Sequence, residues 1–146
     1  MKFTIAFAGI IVLSSFSIWG NNFEKAREQA TSEHKNILLN FSGSDWCGPC
    51  IRMRHEIFEN VAFIAFADKN LVLVNADFPR QKKNQLSNEQ QQQNDRLADK
   101  YNSTGSFPLT VLLNEQGKVI KQWEGYPKMS PEEFTETVKQ AANAVK

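Results

Sequence analysis

Cysteine is nearly missing from this sequence: Cys47 and Cys50 are the only two among 146 residues. A fold stapled by disulfides is thereby excluded, because a bridge across so short a loop stabilises by about 2 kcal/mol, against about 4.7 for a hundred-residue loop. Histidine is equally sparse, with only His34 and His55. Two Cys and two His that are not spaced as a second ligand pair do not make a tetrahedral zinc site. An excess of one charge is lacking too, since 17 basic residues face 16 acidic ones for a formal net charge of +1. No global field marks the chain for nucleic acid or an anionic surface. Internal repeats are absent, and the chain length suits one compact domain.

Long uncharged runs are also scarce, and the one that exists stands at the start, from Phe3 to Phe23 behind the lone charge of Lys2. It reads as a secretory signal over residues 1–20, with a cleavage site at Ser15-Phe16-Ser17 or near Gly20, leaving residues 21–146 as the domain. An uncleaved membrane anchor is the alternative, since about 20 apolar residues span a bilayer. Thr4, Ser14, Ser15, Ser17, Gly20, Asn21 and Asn22 dilute the run and favour cleavage. With no Cys near the N-terminus there is nothing to acylate.

Beyond the leader the hydrophobic pattern alternates between helix and strand periods. Phe23, Ala26 and Ala30 give a weak helix over 22–35. Ile37 to Phe41 is a short apolar run, as in a strand buried on both faces, and Ser42-Gly43-Ser44-Asp45 breaks it. From Cys47 to Asn60, Cys50, Met53, Ile57 and Phe58 form one helical stripe, and Val61–Phe66 extends it as a further short piece. Leu71–Asp77 is the clearest strand, ended by Pro79. Residues 80–94 are polar and read as an exposed loop in their first half. Ser87 with Gln90 then fits a capping box for a helix over 88–101, on which Leu97 and Tyr101 pair. Strands at 107–113 and 118–124 flank Asn114-Glu115-Gln116-Gly117 as an antiparallel hairpin. Ser130-Pro131-Glu132-Glu133 opens the last helix, whose apolar face runs through Phe134, Val138, Ala141 and Val145.

This order predicts an α/β fold, a central mixed sheet with helices on both faces. The first two strand-helix-strand passes are expected to pair in parallel, with the hairpin as an antiparallel edge. In open sheets of this kind ligands bind beyond the carboxyl ends of the strands, and the two cysteines lie just past the end of the first one.

A Cys at the start of a helix meets the unpartnered N–H groups and the positive end of the dipole, which favour thiolate over thiol. Lowering a thiol from about 8.5 to about 7 corresponds to roughly 2 kcal/mol of that preference. Cys47 is therefore expected to be the nucleophile and Cys50, facing inward one turn later, the resolving thiol.

Trp46-Cys47-Gly48-Pro49-Cys50 after an apolar strand resembles the thioredoxin active site at all five positions. Phe107-Pro108, preceded by Tyr101 and Gly105, is similar to the family's cis-proline segment, and Gly117 and Gly125 fall where the family has glycines. The resemblance covers about residues 22–146. It implies a thioredoxin fold with catalytic Cys47 and Cys50, supported by Trp46, Gly48, Pro49, Phe107 and Pro108. A cis Phe107–Pro108 bond would stand beside the cysteines, and the Phe107 backbone would pair with an extended substrate. Cys47 attacks a client disulfide and Cys50 resolves the mixed disulfide, with no metal or organic cofactor beyond the Cys47–Cys50 pair.

The implied partners are disulfide-containing client proteins and a membrane thiol donor of electrons, with no nucleic acid; the protein is expected to be a monomer, exported to a periplasmic or extracellular space. Gly48-Pro49 resembles the dipeptide of reducing members, while an oxidase or isomerase of exported proteins stands as the alternative within the class. A client-binding module without catalysis, gripping through the polar insertion or a rim near Trp46 and Tyr126, is the alternative outside it.

The family's buried Asp is replaced by Asn40, or by Phe41 if no gap is allowed, and its partner Lys by Leu73. Deprotonation of Cys50 is then expected to use water or another group. Asp45 reads as a solvated carboxylate rather than a proton relay, His55 as a surface histidine, and His34 has no visible role. Asn102-Ser103-Thr104 matches a glycosylation sequon and carries no weight without a eukaryotic secretory route.

Overall fold

The computed structural model describes residues 19–145. Of the leader expected over residues 1–20, residues 1–18 lie outside them. Trp19 and Gly20, the last two residues of the expected leader, contact the domain. Gly20 donates to the Leu73 carbonyl and accepts from the Asn75 amide at 2.9 Å each, and the Trp19 ring lies 4.7 Å from that of Phe58.

Helix α1 spans Phe23–Glu33, with Asn22 as N-cap and His34 in the left-handed conformation after its end. Strand β1 (Asn36–Ser42) leads to α2 (Gly48–Met53), which continues as a π-helical turn over Arg54–Phe58. Helix α3 (Val61–Asn70) runs a full turn beyond the expected Phe66 and delivers the chain directly to β2 (Leu71–Asp77). A 3₁₀ turn at Lys82–Asn84 lies in the polar insertion, followed by α4 (Asn88–Tyr101). The hairpin is β3 (Leu109–Leu113) and β4 (Val119–Glu124), and α5 is Pro131–Asn143. Both strands start later than expected, so Phe107 and Pro108 stand before β3 rather than in it. Val145 lies past the end of α5 and is exposed, so the helix's apolar face stops at Ala142.

The four strands lie in the order β2-β1-β3-β4. β1 and β2 are parallel, as expected of the first pass. The second pass differs: β3 is antiparallel to β1, and therefore to β2. The register shows why. Ser42 pairs with Asp77 and Phe41 with Leu109, so β2 ends and β3 begins at the same end of the sheet. A parallel return needs the connection to finish at the far end. Here the polar residues on either side of α4 provide enough chain to come back to where β2 stopped.

Period-two alternation divides the sheet between two cores. Ile37, Leu39, Phe41, Val72, Val74, Leu109 and Val111 face α1 and α4, where Phe23, Ala26, Leu97 and Tyr101 cover them. Leu38, Leu71, Leu73 and Leu112 face Met53, Ile57, Phe63, Phe134 and Val138 from α2, its π turn, α3 and α5. Burying an aliphatic side chain contributes about 1.5–3 kcal/mol, so these two layers hold the carboxyl end of β1 in place beneath the cysteines. Local chemistry fixes the helix starts. Ser130 and Glu133 form a complete capping box on α5. On α4 only half the box forms: the Ser87 hydroxyl accepts from the Gln90 amide, while the Gln90 side chain donates to the Asn21 carbonyl at 2.8 Å and holds the N-terminal arm.

Candidate active site

β1 ends at Ser42 because Gly43 follows, and Gly43 is required there. A Cβ at that position would lie 2.2 Å from a ring carbon of Trp46. The indole lies against this glycine and donates from Nε1 to the Phe78 carbonyl at 2.7 Å. Cys47 comes next as the N-cap of α2, in extended conformation, and Pro49 occupies the first turn, where it lacks no needed donor. Its Sγ accepts from the Cys50 backbone amide at 3.3 Å. Gly48 is exposed, with open space where a side chain would be.

Cys47 and Cys50 form a disulfide, their Cα atoms 5.2 Å apart. Exposure of the whole residue does not separate the two cysteines, at 4% for Cys47 and 5% for Cys50. Helix position does: Cys47 meets the first N–H groups and Cys50 lies a turn inside, on the stripe with buried Met53 and Ile57. The Phe107–Pro108 peptide bond is cis. Pro108 is buried, and its carbonyl accepts from Gly125 at 2.8 Å, which ties it to the end of β4. The Phe107 ring stands edge-on to Trp46 at 5.4 Å and to Phe78 at 5.5 Å, so the segment before β3 adjoins the residue before Cys47.

Below the disulfide the sheet turns polar. Asn40 donates to Asn75 Oδ1 at 3.0 Å and accepts from the Thr110 hydroxyl at 3.2 Å, while Ser42 donates to the same Asn75 oxygen at 3.1 Å. Asp77 accepts from the Ser44 amide at 2.9 Å and from its hydroxyl. Asn40, Ser42, Ser44, Asn75 and Asp77 line a cleft of about 450 Å³ that reaches Cys50 and is also lined by exposed Ile51, Arg54 and His55. The sequence reading identified Asn40 but missed Ser42, Asn75 and Asp77. Alternation was the available signal: Asn40 and Ser42 share a face with Leu38, and Asn75 and Asp77 with Leu73, which is the face α2 covers.

Asp45 is solvent-accessible, as expected, but it is not free. Its carboxylate accepts from the backbone amides of Arg80 and Gln81 at 2.9 Å each and from the Asn84 side chain at 3.0 Å. The Arg80 amide and then the Asn84 side chain hold its carboxyl below the usual carboxylate range. It thereby fastens the polar insertion beside the motif. His55 is exposed, with Nδ1 2.9 Å from Glu59. His34 is exposed and lies 3.7 Å from Glu115, away from the site. Tyr126 donates its hydroxyl to Glu56, which Arg52 also engages while standing 4.5 Å over the tyrosine ring. The tyrosine hydroxyl and then Arg52 lower the Glu56 carboxyl, and that carboxylate raises the phenol. Among the described residues no three His, Cys, Asp or Glu side chains converge as a metal site.

Comparison with known proteins agrees with this geometry. Residues 23–142 match the family described as a thioredoxin-like domain. The chain is 36% identical over 108 residues to the disulfide bond reductase DsbH of Chlamydia pneumoniae, covering 74% of this chain and 63% of that protein. It is 29% identical over 103 residues to the thioredoxin-related protein DsbJ of the same organism, covering 70% of this chain and 29% of that one. The match therefore spans less than two thirds of either relative. A solved DsbH oxidoreductase superposes with a TM-score of 0.80 at 30% identity, over 97% of this chain and 95% of that one. A disulphide isomerase from Xylella fastidiosa Temecula1 gives 0.61 at 23% identity, over 81% and 86%, and shares the fold.

Proposed function

The chain belongs to the thioredoxin-like domain family, and on that premise we propose that it is a thiol–disulfide oxidoreductase that reduces protein disulfides through Cys47 and Cys50. The observation that carries the reading is a disulfide between the N-cap of α2 and a residue one turn inside it, at the carboxyl end of the sheet. Reduction rather than oxidation is supported by Gly48-Pro49 and by the similarity to a protein named as a disulfide bond reductase.

In the reduced protein the Cys47 thiolate attacks one sulfur of a client disulfide. A Cys47–client bond forms and the client's other sulfur leaves, to be protonated by water. Cys50 then loses its proton and attacks Cys47 Sγ, the mixed disulfide breaks, and the second client thiol departs. The client gains two electrons and the Cys47–Cys50 pair loses two. Trp46 precedes the attacking residue and packs on Phe107, Gly48 and Pro49 start the helix that favours the Cys47 thiolate, and Pro108 would present the Phe107 backbone to an extended client segment. An exported location and a membrane thiol donor complete the reading, the first supported by the uncharged run behind Lys2. Among the described residues no helix is long and apolar enough to cross a membrane.

Reduction of insulin by the protein, driven by dithiothreitol, tests the activity. Turnover abolished by Cys47→Ser is expected; turnover retained in that variant, or absent from the parent protein, overturns the reading. An equilibrium potential well below that of glutathione is expected of a reductase, and one near or above it assigns the oxidase or isomerase direction.

A further inference from the structure

The polar insertion gives the active-site rim a fixed positive charge. Asp45 holds residues 80–84 through two backbone amides and the Asn84 side chain, not through a guanidinium. The Arg80 head is left to lie flat against Trp46, its central carbon 3.6 Å from the ring. Trp46 is the residue before Cys47, and Phe107 stands edge-on to it at 5.4 Å. Lys82 and Lys83 follow in the 3₁₀ turn, exposed like Arg80. None of the ion pairs among the described residues engages these three cations. Between Asp77 and Glu89 the sequence has no acidic residue. The two carboxylates nearby keep their negative charge but engage local donors rather than these cations, Asp45 the insertion's own amides and Asp77 Ser44. By contrast, Arg52 and Arg54 on the helix side of the site are paired with Glu56 and Glu59. Arg80, Lys82 and Lys83 against Asp45 and Asp77 therefore leave a small positive excess on the Trp46 side of the site, carried by a segment latched in place.

We infer that this rim selects clients whose reducible cystine is flanked by acidic residues, a client carboxylate meeting Arg80, Lys82 and Lys83 while the cystine sulfur meets Cys47. The inference rests on the oxidoreductase reading and names the substrate class of that site. Stacking on Trp46 matters because a guanidinium already held in place loses less freedom when a carboxylate arrives than one on a mobile side chain. An exposed cation–carboxylate pair contributes about 1.4- to 5-fold in affinity, and the attraction fades as salt shortens the screening length below about 10 Å.

The test uses the purified protein, reduced beforehand and freed of reductant, in single turnover against three cystine peptides identical except for Asp, Ser or Lys on both flanks. A rate constant about fivefold higher for the Asp than for the Lys peptide at low salt is expected, shrinking as salt is raised. The ratio falls close to one in Arg80→Gln/Lys82→Gln/Lys83→Gln. It falls part of the way in Lys82→Gln/Lys83→Gln, which leaves the Arg80–Trp46 stack intact. Equal rates for the Asp and Lys peptides, or a ratio unchanged in the triple variant, overturn the inference. Failure to reduce even the Ser peptide overturns the oxidoreductase reading instead.

Discussion

Replacing Asn40 by aspartate puts a carboxylate under Cys50, where the thioredoxin family usually has one, and the hydrogen bonds around Asn40 set the effect. Asn40 is 6% exposed, donates to Asn75 Oδ1 and accepts from Thr110. In Asn40→Asp one oxygen keeps the Thr110 hydroxyl, while the other faces the Asn75 carbonyl oxygen, acceptor against acceptor. A protonated aspartate repairs the contact by donating, so at low pH the variant is close to the parent protein. Ionised, it leaves a buried oxygen unmatched at a cost of about 1–3 kcal/mol. Burial raises the folded-state value of this carboxyl above its unfolded value near about 4. The folded state then holds the extra proton, and stability falls as pH rises from the unfolded value through the folded one. For a domain of this size the loss at pH 8 is roughly 3–12 °C in Tm, against little change at pH 4. Turnover should change by no more than about threefold, because the cleft beside Cys50 already brings solvent to its proton; a general base in full use is worth about 10²-fold or more. Differential scanning calorimetry at the two pH values and insulin reduction at pH 7 check both parts. A loss of turnover beyond tenfold in a folded variant would refute the view that Cys50 is served by the cleft, and equal Tm differences at both pH values would refute the hydrogen-bond account.

Gly43→Ala drives a methyl group into the Trp46 ring, which must leave its bond to Phe78 and its stack under Arg80; overpacking and the lost contacts together cost about 2–4 kcal/mol in urea unfolding, and a loss under about 0.5 kcal/mol would contradict the packing described. Asp45 has a depressed carboxyl, so its hold on residues 80–84 is complete above the ordinary carboxylate value and is lost as pH falls through the depressed one. Trp46 fluorescence should therefore change in acid for the parent protein and already at pH 7 in Asp45→Ala, and an unchanged spectrum in the variant counts against the latch. A chain starting at Asn21 loses both Gly20 backbone bonds and the Trp19–Phe58 contact. Relative to one starting at Ile18 its stability should drop by about 2–3 kcal/mol, and equal stability would show the arm to be dispensable.

What was legible in the sequence was local. Leu71–Asp77 has its observed bounds because the apolar run stops at residues that cannot extend it. Ser87 and Ser130 cap helices because a hydroxyl before an acidic or amide residue satisfies amides wherever it occurs. The five-residue motif located the disulfide for the same reason. What escaped depended on residues distant in the chain. The π turn at Arg54–Phe58 is made of ordinary helix formers, and nothing in their pattern distinguishes it. The direction of β3 depends on where the whole connection from residue 78 to residue 108 returns. The latch made by Asp45 escaped because its donors lie more than thirty residues away, on a loop too polar to have a hydrophobic period. The polar floor under Cys50 was readable in the alternation of β1 and β2.

The central claim is that Cys47 attacks and Cys50 resolves, and trapping tests it most directly. Cys50→Ser mixed with an oxidised client is predicted to accumulate a covalent complex through Cys47, visible on non-reducing gels, mapped by mass spectrometry and released by dithiothreitol, while Cys47→Ser yields none. A complex that forms equally through Cys50 in Cys47→Ser, or no complex with either variant, would contradict the account.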